Sequence, residues 1–290
     1  MRVLITGAGG QVGRALSRLA PPDVTVLPCT RTELDLADER TVRSKVVALR
    51  PDLLINAAAY TAVDKAESDA EAARLINTDS VRWLAEEIAA QPASRMLHIS
   101  TDFVFDGKTS TPYAPGATTA PLSVYGQTKL NGEQAVSDVL GSRGLVLRTS
   151  WVYDASGRNF VNTMLRLMRE GRPLRVVADQ VGTPTAADSI ATVLWQLVRR
   201  TDLSGVWHWT DAGVASWYDF AVAIGEEAEL LGLVRSHVDV APIATPDYPT
   251  AARRPAFSVL DRRATVEALD IVPAHWRQQL RRVMKEIAFG

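Results

Sequence analysis

Two residues four positions apart, Tyr125 and Lys129, stand in the stretch Ser123-Val124-Tyr125-Gly126-Gln127-Thr128-Lys129. On a helix, positions i and i+4 share one face, so the phenol and the amine stand one turn apart. A tyrosine near its ordinary pKa of about 10 is a poor acid or base at neutral pH. A lysine ammonium beside it favours the phenolate and lowers that value, which would make the phenol a usable proton donor. The same lysine can also hydrogen-bond a nicotinamide ribose. Spacing alone fits the start of any amphipathic helix equally well. What decides between the two is Ile99-Ser100-Thr101-Asp102 at the end of an apolar run just upstream. Ligands of open α/β sheets bind outside the carboxyl ends of the strands, where the Thr101 hydroxyl can bond a carbonyl oxygen undergoing reduction.

The elements that must position these residues are legible as alternating patterns. Apolar runs at 3–6, 24–27, 53–56, 96–100 and 145–149 read as strands. Their nearly continuous apolar character suits a parallel sheet covered on both faces. Residues 12–19, 39–49, 70–90 and 123–140 read as helices between them; in the third, Ala73, Ile76, Val81, Leu84, Ala85 and Ile88 recur near helical spacing. Strand and helix in alternation predict an α/β fold, a Rossmann-type doubly wound parallel sheet, over residues 1–150. In the second half, residues 159–168, 188–200, 217–231 and 275–288 read as helices, 174–178 and 206–210 as strands, and 242–255 as a Pro-rich stretch. These predict a smaller C-terminal substrate-binding lobe over 151–290, with segments at about 172–200 and 240–262 returning to the Rossmann core.

Gly7-Ala8-Gly9-Gly10-Gln11-Val12-Gly13 directly follows the first strand and opens the first helix. Glycine there permits the tight turn, the approach of backbone to a pyrophosphate, and close helix–sheet packing. The helix N-terminus then offers free N–H groups and a partial positive charge to the phosphates. No Gly-Lys-Ser/Thr follows, so this is not a Walker loop. An acidic residue after the second strand would favour the free ribose hydroxyl of NAD, but the chain reads Pro28-Cys29-Thr30-Arg31. Arg31 is either a solvated arginine at a strand end or a charge-assisted partner for a 2′-phosphate, and the second reading favours NADPH. Asp35 and Leu36 stand where they can flank an adenine, Asp35 accepting its exocyclic amine. Asn56-Ala57-Ala58-Ala59 closes the third strand with small side chains that let a cofactor lie against the backbone.

The rest of the composition excludes more than it suggests. With 32 basic and 33 acidic residues, a net charge of -1 and no charge run, the chain carries no footprint for nucleic acid. Cys29 is the only cysteine, which excludes a disulfide framework or a thiolate zinc site within one chain. His98, His208, His237 and His275 are scattered without metal-ligand spacing, so no metal is expected. No segment reads as a signal peptide or a membrane span, and a cytoplasmic protein is the simplest expectation. Trp207, Trp209 and Trp217 read as core of the second lobe.

The glycine loop, the Asn-Ala-Ala-Ala segment, Ser100-Thr101-Asp102 and Tyr125-x-x-x-Lys129 together resemble the short-chain dehydrogenase/reductase family in its extended form. Longer segments resemble the branch of it that reduces dTDP-linked keto sugars. They are the stretch from Asn56 through Tyr60-Thr61-Ala62-Val63-Asp64 to Glu67, Asp102-Phe103-Val104-Phe105-Asp106-Gly107, Arg148-Thr149-Ser150-Trp151-Val152-Tyr153, Asp179-Gln180-x-Gly182-x-Pro184-Thr185 and Ala252-Arg253-Arg254-Pro255. The resemblance covers nearly the whole chain. It implies NADPH-dependent reduction, with NADH also usable, of the C4 keto group of dTDP-4-dehydro-6-deoxy-L-mannose to dTDP-L-rhamnose. Tyr125 would give the proton, Thr101 would bind the carbonyl oxygen, and Asp102, Phe103 and Trp151 would contact the sugar. Ala59, Tyr60, Thr61 and Ile99 would border the cofactor. Arg253 and Arg254, in a Pro-bounded loop, are candidates for the diphosphate or for surface charge and ion pairing.

One departure bears on assembly. Some members of that branch dimerise around a magnesium ion held partly by a glutamate two residues beyond the loop's last glycine. Ala15 stands there, and Arg14 beside it cannot ligate a metal, so a monomer or weak homodimer is expected. Two other classes share the scaffold: non-catalytic NADP-binding regulators, such as the regulatory subunit of methionine adenosyltransferase, and sugar-nucleotide 4-epimerases or dehydratases. Intact Thr101, Tyr125 and Lys129 argue against a regulator, and Asp102-Phe103 lacks the Asp-Glu pair of a dehydratase. An epimerase uses the same tyrosine and lysine.

Overall fold

The computed structural model describes residues 1–235 and 238–290, so His237 lies outside the described residues. Strands β1 (Arg2–Thr6), β2 (Thr25–Cys29), β3 (Leu53–Asn56), β4 (Arg95–Thr101) and β5 (Gly144–Thr149) form where the apolar runs predicted them. Beyond them come β6 (Val152–Tyr153), β7 (Leu174–Val177), β8 (Val181–Gly182), β9 (Thr185–Ala186), β10 (Gly205–His208), β11 (Ala215–Ser216) and β12 (Val240–Ile243). Among the described residues β10, β5, β4, β3, β1 and β2 make one six-stranded sheet in that order, parallel throughout. The order reverses at β1, and a crevice at such a switch point is where open α/β sheets take ligands.

Both faces of the sheet are covered, as the continuous apolar strands require. Helices α1 (Gln11–Arg18), α2 (Glu39–Leu49), α3 (Val63–Ala66), α4 (Ala70–Arg74), α5 (Ser80–Ala89), α6 (Val124–Leu140), α7 (Phe160–Arg169), α8 (Ala187–Arg199), α9 (Trp217–Leu230), α10 (Arg263–Leu269) and α11 (Trp276–Phe289) follow in chain order. Val42 and Val46 of α2, Leu84 and Ile88 of α5 and Val136 of α6 pack with Leu4, Leu54 and Met96 on one face. Leu16 of α1 and Ile190 and Leu194 of α8 pack with Val3, Ile55 and Leu147 on the other. Strand β10 extends the sheet and α8 lies on it, so the chain returns to the first unit after leaving it. Strands β7 and β12 pair with each other in parallel, and β7 packs with α7, α9 and α11 in a second core around Phe220, Ile224 and Leu280.

Two expectations are corrected. The helix predicted over 70–90 is broken in register: α4 passes through a π-turn at Leu75–Asp79 before α5. There the Asn77 side chain bonds both the N–H and the C=O of Tyr60, at 2.8 and 3.1 Å, and the Thr128 hydroxyl at 3.1 Å. Such single turns are rare and often lie at functional sites; this one links α6 to the loop after β3. Trp207 and Trp209 belong to the sheet's core rather than to the second lobe, because β10 carries that segment back into the sheet.

Candidate active site

The glycine loop is built for close approach. Gly7 has φ +67°, in the left-handed region, and a Cβ there would stand 2.7 Å from Cα and N of Ala58. A Cβ on Gly13 would overlap the Gly7 carbonyl oxygen, which is why α1 can start so near the sheet. Gly10 is the N-cap of α1 and supplies no side-chain cap, so the first-turn N–H groups stay open to an anion. This cradle fits a dinucleotide pyrophosphate. Gln11 accepts a hydrogen bond from Asn159 Nδ2 at 3.0 Å, tying the loop to the start of α7, and Val12 is buried. Gly9 lies 3.8 Å, measured from an added Cβ, from the Thr30 methyl. Exposed Arg31 therefore follows directly beside the loop, with no hydrogen-bond or ion-pair partner among the described residues. Asp35 accepts the Ala37 N–H at 3.0 Å, and Leu36 is buried in the core between sheet and helices.

At the carboxyl end of β4, Thr101, Asp102 and Phe103 meet the first turn of α6. Ser123 caps that helix by accepting from the Gly126 N–H at 3.2 Å, and Glu67 accepts from the Val124 N–H at 2.9 Å. Tyr125 is thereby fixed, buried, with its ring edge-on to Phe103 at 5.6 Å between centroids. Its hydroxyl lies toward Thr101, whose influence lowers the phenol's pKa. The sequence-based expectation that Lys129 lowers this phenol's pKa is not what the geometry produces. Burial pushes Tyr125 up to about 12; the Thr101 hydroxyl pulls it down and the Asp102 charge pushes it up again. Lys129 is turned elsewhere: its Nζ donates to the Ile99 carbonyl at 2.7 Å and lies 3.2 Å from His98 Nε2. Burial lowers Lys129 to about 8 against the upward pull of Glu133. Asp102 is buried, takes the Thr101 hydroxyl at 3.1 Å on one oxygen and leaves its other oxygen unpartnered. Burial raises it to about 6.

Arg148 of β5 and Glu133 of α6 form a buried bidentate ion pair at 2.8 and 2.6 Å, and Ser100 donates to the same glutamate at 2.5 Å. The pair seats α6, and with it Tyr125 and Lys129, against the strand ends. Arg148 also lies over the Phe105 ring, 5.1 Å from its centroid.

Beyond Phe103 a small cleft is lined by Trp151, Gln180, Trp217, Arg254, Pro255 and Ser258. Trp151 holds φ +48°, a left-handed conformation that costs a non-glycine residue about 1–3 kcal/mol and marks functional sites. Its indole stacks on Trp217 at 3.5 Å and lies over Gly182, where a Cβ would stand 2.6 Å away. Trp217, read as core from the sequence, both packs on the second core and faces this cleft. Gln180, Trp217 and Ser258 are additions; each comes from a different segment of the second lobe, and only folding brings them to Phe103. Arg254 pairs with Asp64 at 2.7 and 3.1 Å, joining its loop to α3, while Arg253 is exposed. Along the β3 edge Ala58, Ala59 and Tyr60 are half-buried and Thr61 is exposed.

A family model described as the RmlD substrate binding domain matches residues 1–289. The chain belongs to that family. A curated dTDP-4-dehydrorhamnose reductase of Aggregatibacter actinomycetemcomitans is 42% identical over 97% of this chain and 98% of its own. The one of Escherichia coli K12 is 38% identical over 99% and 98%. Among solved structures, dTDP-4-dehydrorhamnose reductase of Bacillus anthracis in complex with NADP has a TM-score of 0.92 at 33% identity, covering 98% and 99% of the two chains. No helix among the described residues is long and apolar enough to cross a membrane.

Proposed function

We propose that the protein reduces the C4 keto group of dTDP-4-dehydro-6-deoxy-L-mannose to dTDP-L-rhamnose, with NADPH as the preferred coenzyme and NADH usable. The observation that carries this is the convergence of Thr101 and protonated Tyr125 on the strand ends beside the glycine cradle, in a chain whose relatives bear that enzyme's name. The α1 N-terminus and glycine loop would hold the dinucleotide, Ala58, Ala59, Tyr60, Thr61 and Ile99 would border it, and Arg31 would meet the 2′-phosphate. The bound coenzyme supplies a hydride to C4.

The chain's own residues then manage the oxygen and its proton. Thr101 would turn its hydroxyl proton from Asp102 to the carbonyl oxygen and hold that oxygen at the Tyr125 hydroxyl. A phenol raised to about 12 keeps its proton throughout the neutral range, which is the form a reductase needs. The alkoxide that forms at C4 is far more basic than a phenolate, so it takes that proton outright. Lys129 as an ammonium would leave the Ile99 carbonyl and His98 and turn toward the phenolate left behind. Asp102, Phe103 and the Trp151–Trp217 pair would border the sugar. Arg253, with no ion partner among the described residues, is the better candidate for the diphosphate, since Arg254 is held by Asp64. A cytoplasmic location and a monomer or weak homodimer complete the reading; the latter is supported by Ala15 and by Arg14, which binds the Gly9 carbonyl at 2.7 Å.

The test is consumption of NADPH by purified protein, followed at the coenzyme's absorbance, with and without the keto sugar. One equivalent lost per sugar is expected. Tight NADPH binding with no loss would leave a binding protein in place of an enzyme.

A further inference from the structure

Behind Tyr125, a row of buried polar side chains crosses β1, β3 and β4 and ends on Lys129, and its donors and acceptors can be counted. The Thr6 hydroxyl donates to Asn56 Oδ1 at 2.6 Å, and the Ala58 backbone N–H donates to the same oxygen at 3.2 Å. A backbone N–H can only donate, so that end of the amide is the carbonyl oxygen. The Asn56 NH2 therefore faces His98 Nδ1, 3.0 Å away, and Nδ1 must accept. That leaves the ring proton of a neutral imidazole on Nε2, which lies 3.2 Å from Lys129 Nζ. An ammonium has three donors and no acceptor, so it meets this Nε2–H donor to donor. A neutral amine meets it with a lone pair, and still donates to the Ile99 carbonyl. Gly132 of α6 packs beside this ring, where a Cβ would overlap the Asn77 carbonyl oxygen at 2.2 Å.

We propose that His98 is a positioning residue for Lys129: fixed by Asn56 as the Nε2-protonated tautomer, it donates to the lysine Nζ and fits this pocket to the neutral amine, so that the charge on Lys129 decides whether the lysine stays on His98. The surrounding charges agree. The groups that act on Lys129 among the described residues are His98 of β4 and Glu133 of α6, with Arg148 of β5 behind Glu133. Glu133, the acid nearest along the helix, is already bound by Arg148 and Ser100. Burial, with the Lys129 charge adding to it, holds His98 well below its ordinary value, hence neutral.

The tautomer stands apart from the reductase reading, while its consequence for turnover rests on that reading. Long-range 1H–15N correlation on histidine-labelled whole protein near neutral pH should show His98 with its proton on Nε2. A proton on Nδ1, or an imidazolium, overturns the proposal whatever the protein catalyses. Because turnover needs the ammonium, NADPH consumption should fall as pH rises through the Lys129 value. In His98→Phe, which removes the opposing donor, that alkaline limb should move up by about one pH unit. His98→Gln, whose amide can again donate, should bring the limb back toward the parent position. A His98→Phe limb that does not move also overturns the proposal. Should His98→Phe not fold, the tautomer and the His98→Gln limb, expected at the parent pH, still decide it. If the parent protein consumes no NADPH with the keto sugar, the reductase reading fails and the spectrum alone decides His98.

Discussion

Replacing Asp102 by asparagine should flatten part of the protein's stability against pH, and the size follows from where that carboxyl sits. It is buried, one oxygen has no partner, and its folded value is about 6 against 3.8 for the ordinary side chain. A group whose folded pKa is raised stabilises the fold fully below the unfolded value and loses that contribution as pH rises through the folded one. A shift of about two units corresponds to about 3 kcal/mol, present below pH ~4 and gone above pH ~7. Roughly half of it should appear between pH 8 and pH 5. Asparagine has the same shape and no titration, so the difference between parent and Asp102→Asn should shift by that half over the same interval. Any constant cost of the amide N–H groups drops out of this comparison. Asp211, buried and also raised to about 6, is present in both proteins and cancels as well. Urea unfolding at pH 8 and pH 5 measures it, provided the slope of the transition is unchanged. Equal differences at the two pH values would refute the assignment of a buried carboxyl with no cationic partner at the strand end.

Three further outcomes follow from the same geometry. Tyr125→Phe should lower turnover by about 10²–10⁴, the usual contribution of a placed acid, while NADPH affinity measured by fluorescence titration stays almost unchanged. Arg31→Ala should weaken NADPH about tenfold and NADH hardly at all, as expected for one charge-assisted contact with a 2′-phosphate; equal losses would refute that contact. Arg148→Met should cost about 3–5 kcal/mol in urea unfolding, because it strands Glu133 as a buried charge, and Arg148→Met combined with Glu133→Gln should recover much of that.

The sheet was readable because β1, β3, β4 and β5 are buried on both faces and so appear as short, largely apolar runs. The glycine loop was readable because its tight turn and its close approach to Ala58 both demand glycine at fixed positions in one short segment. Other features depend on partners distant in sequence. The 70–90 stretch keeps helical spacing right through its π-turn, since what unwinds it is Asn77 reaching Tyr60 and Thr128. Trp207 and Trp209 could not be assigned to the sheet without knowing that β10 pairs with β5. Trp217, Gln180 and Ser258 meet Phe103 only once the second lobe has packed. Spacing put Lys129 one turn from Tyr125, but it could not show that His98 and Ile99, thirty residues away on β4, would hold its amine. The phenol's pKa went wrong for the same reason: burial, not the neighbouring lysine, dominates it.

The central claim is that a hydride passes from the nicotinamide to C4 of the sugar. Single-turnover reaction with NADPH carrying deuterium at both transferable positions of its nicotinamide ring, followed by NMR of the product sugar, tests it directly. One deuterium at C4 of dTDP-L-rhamnose is the predicted result. Deuterium at another carbon, or a product without it, would contradict the account.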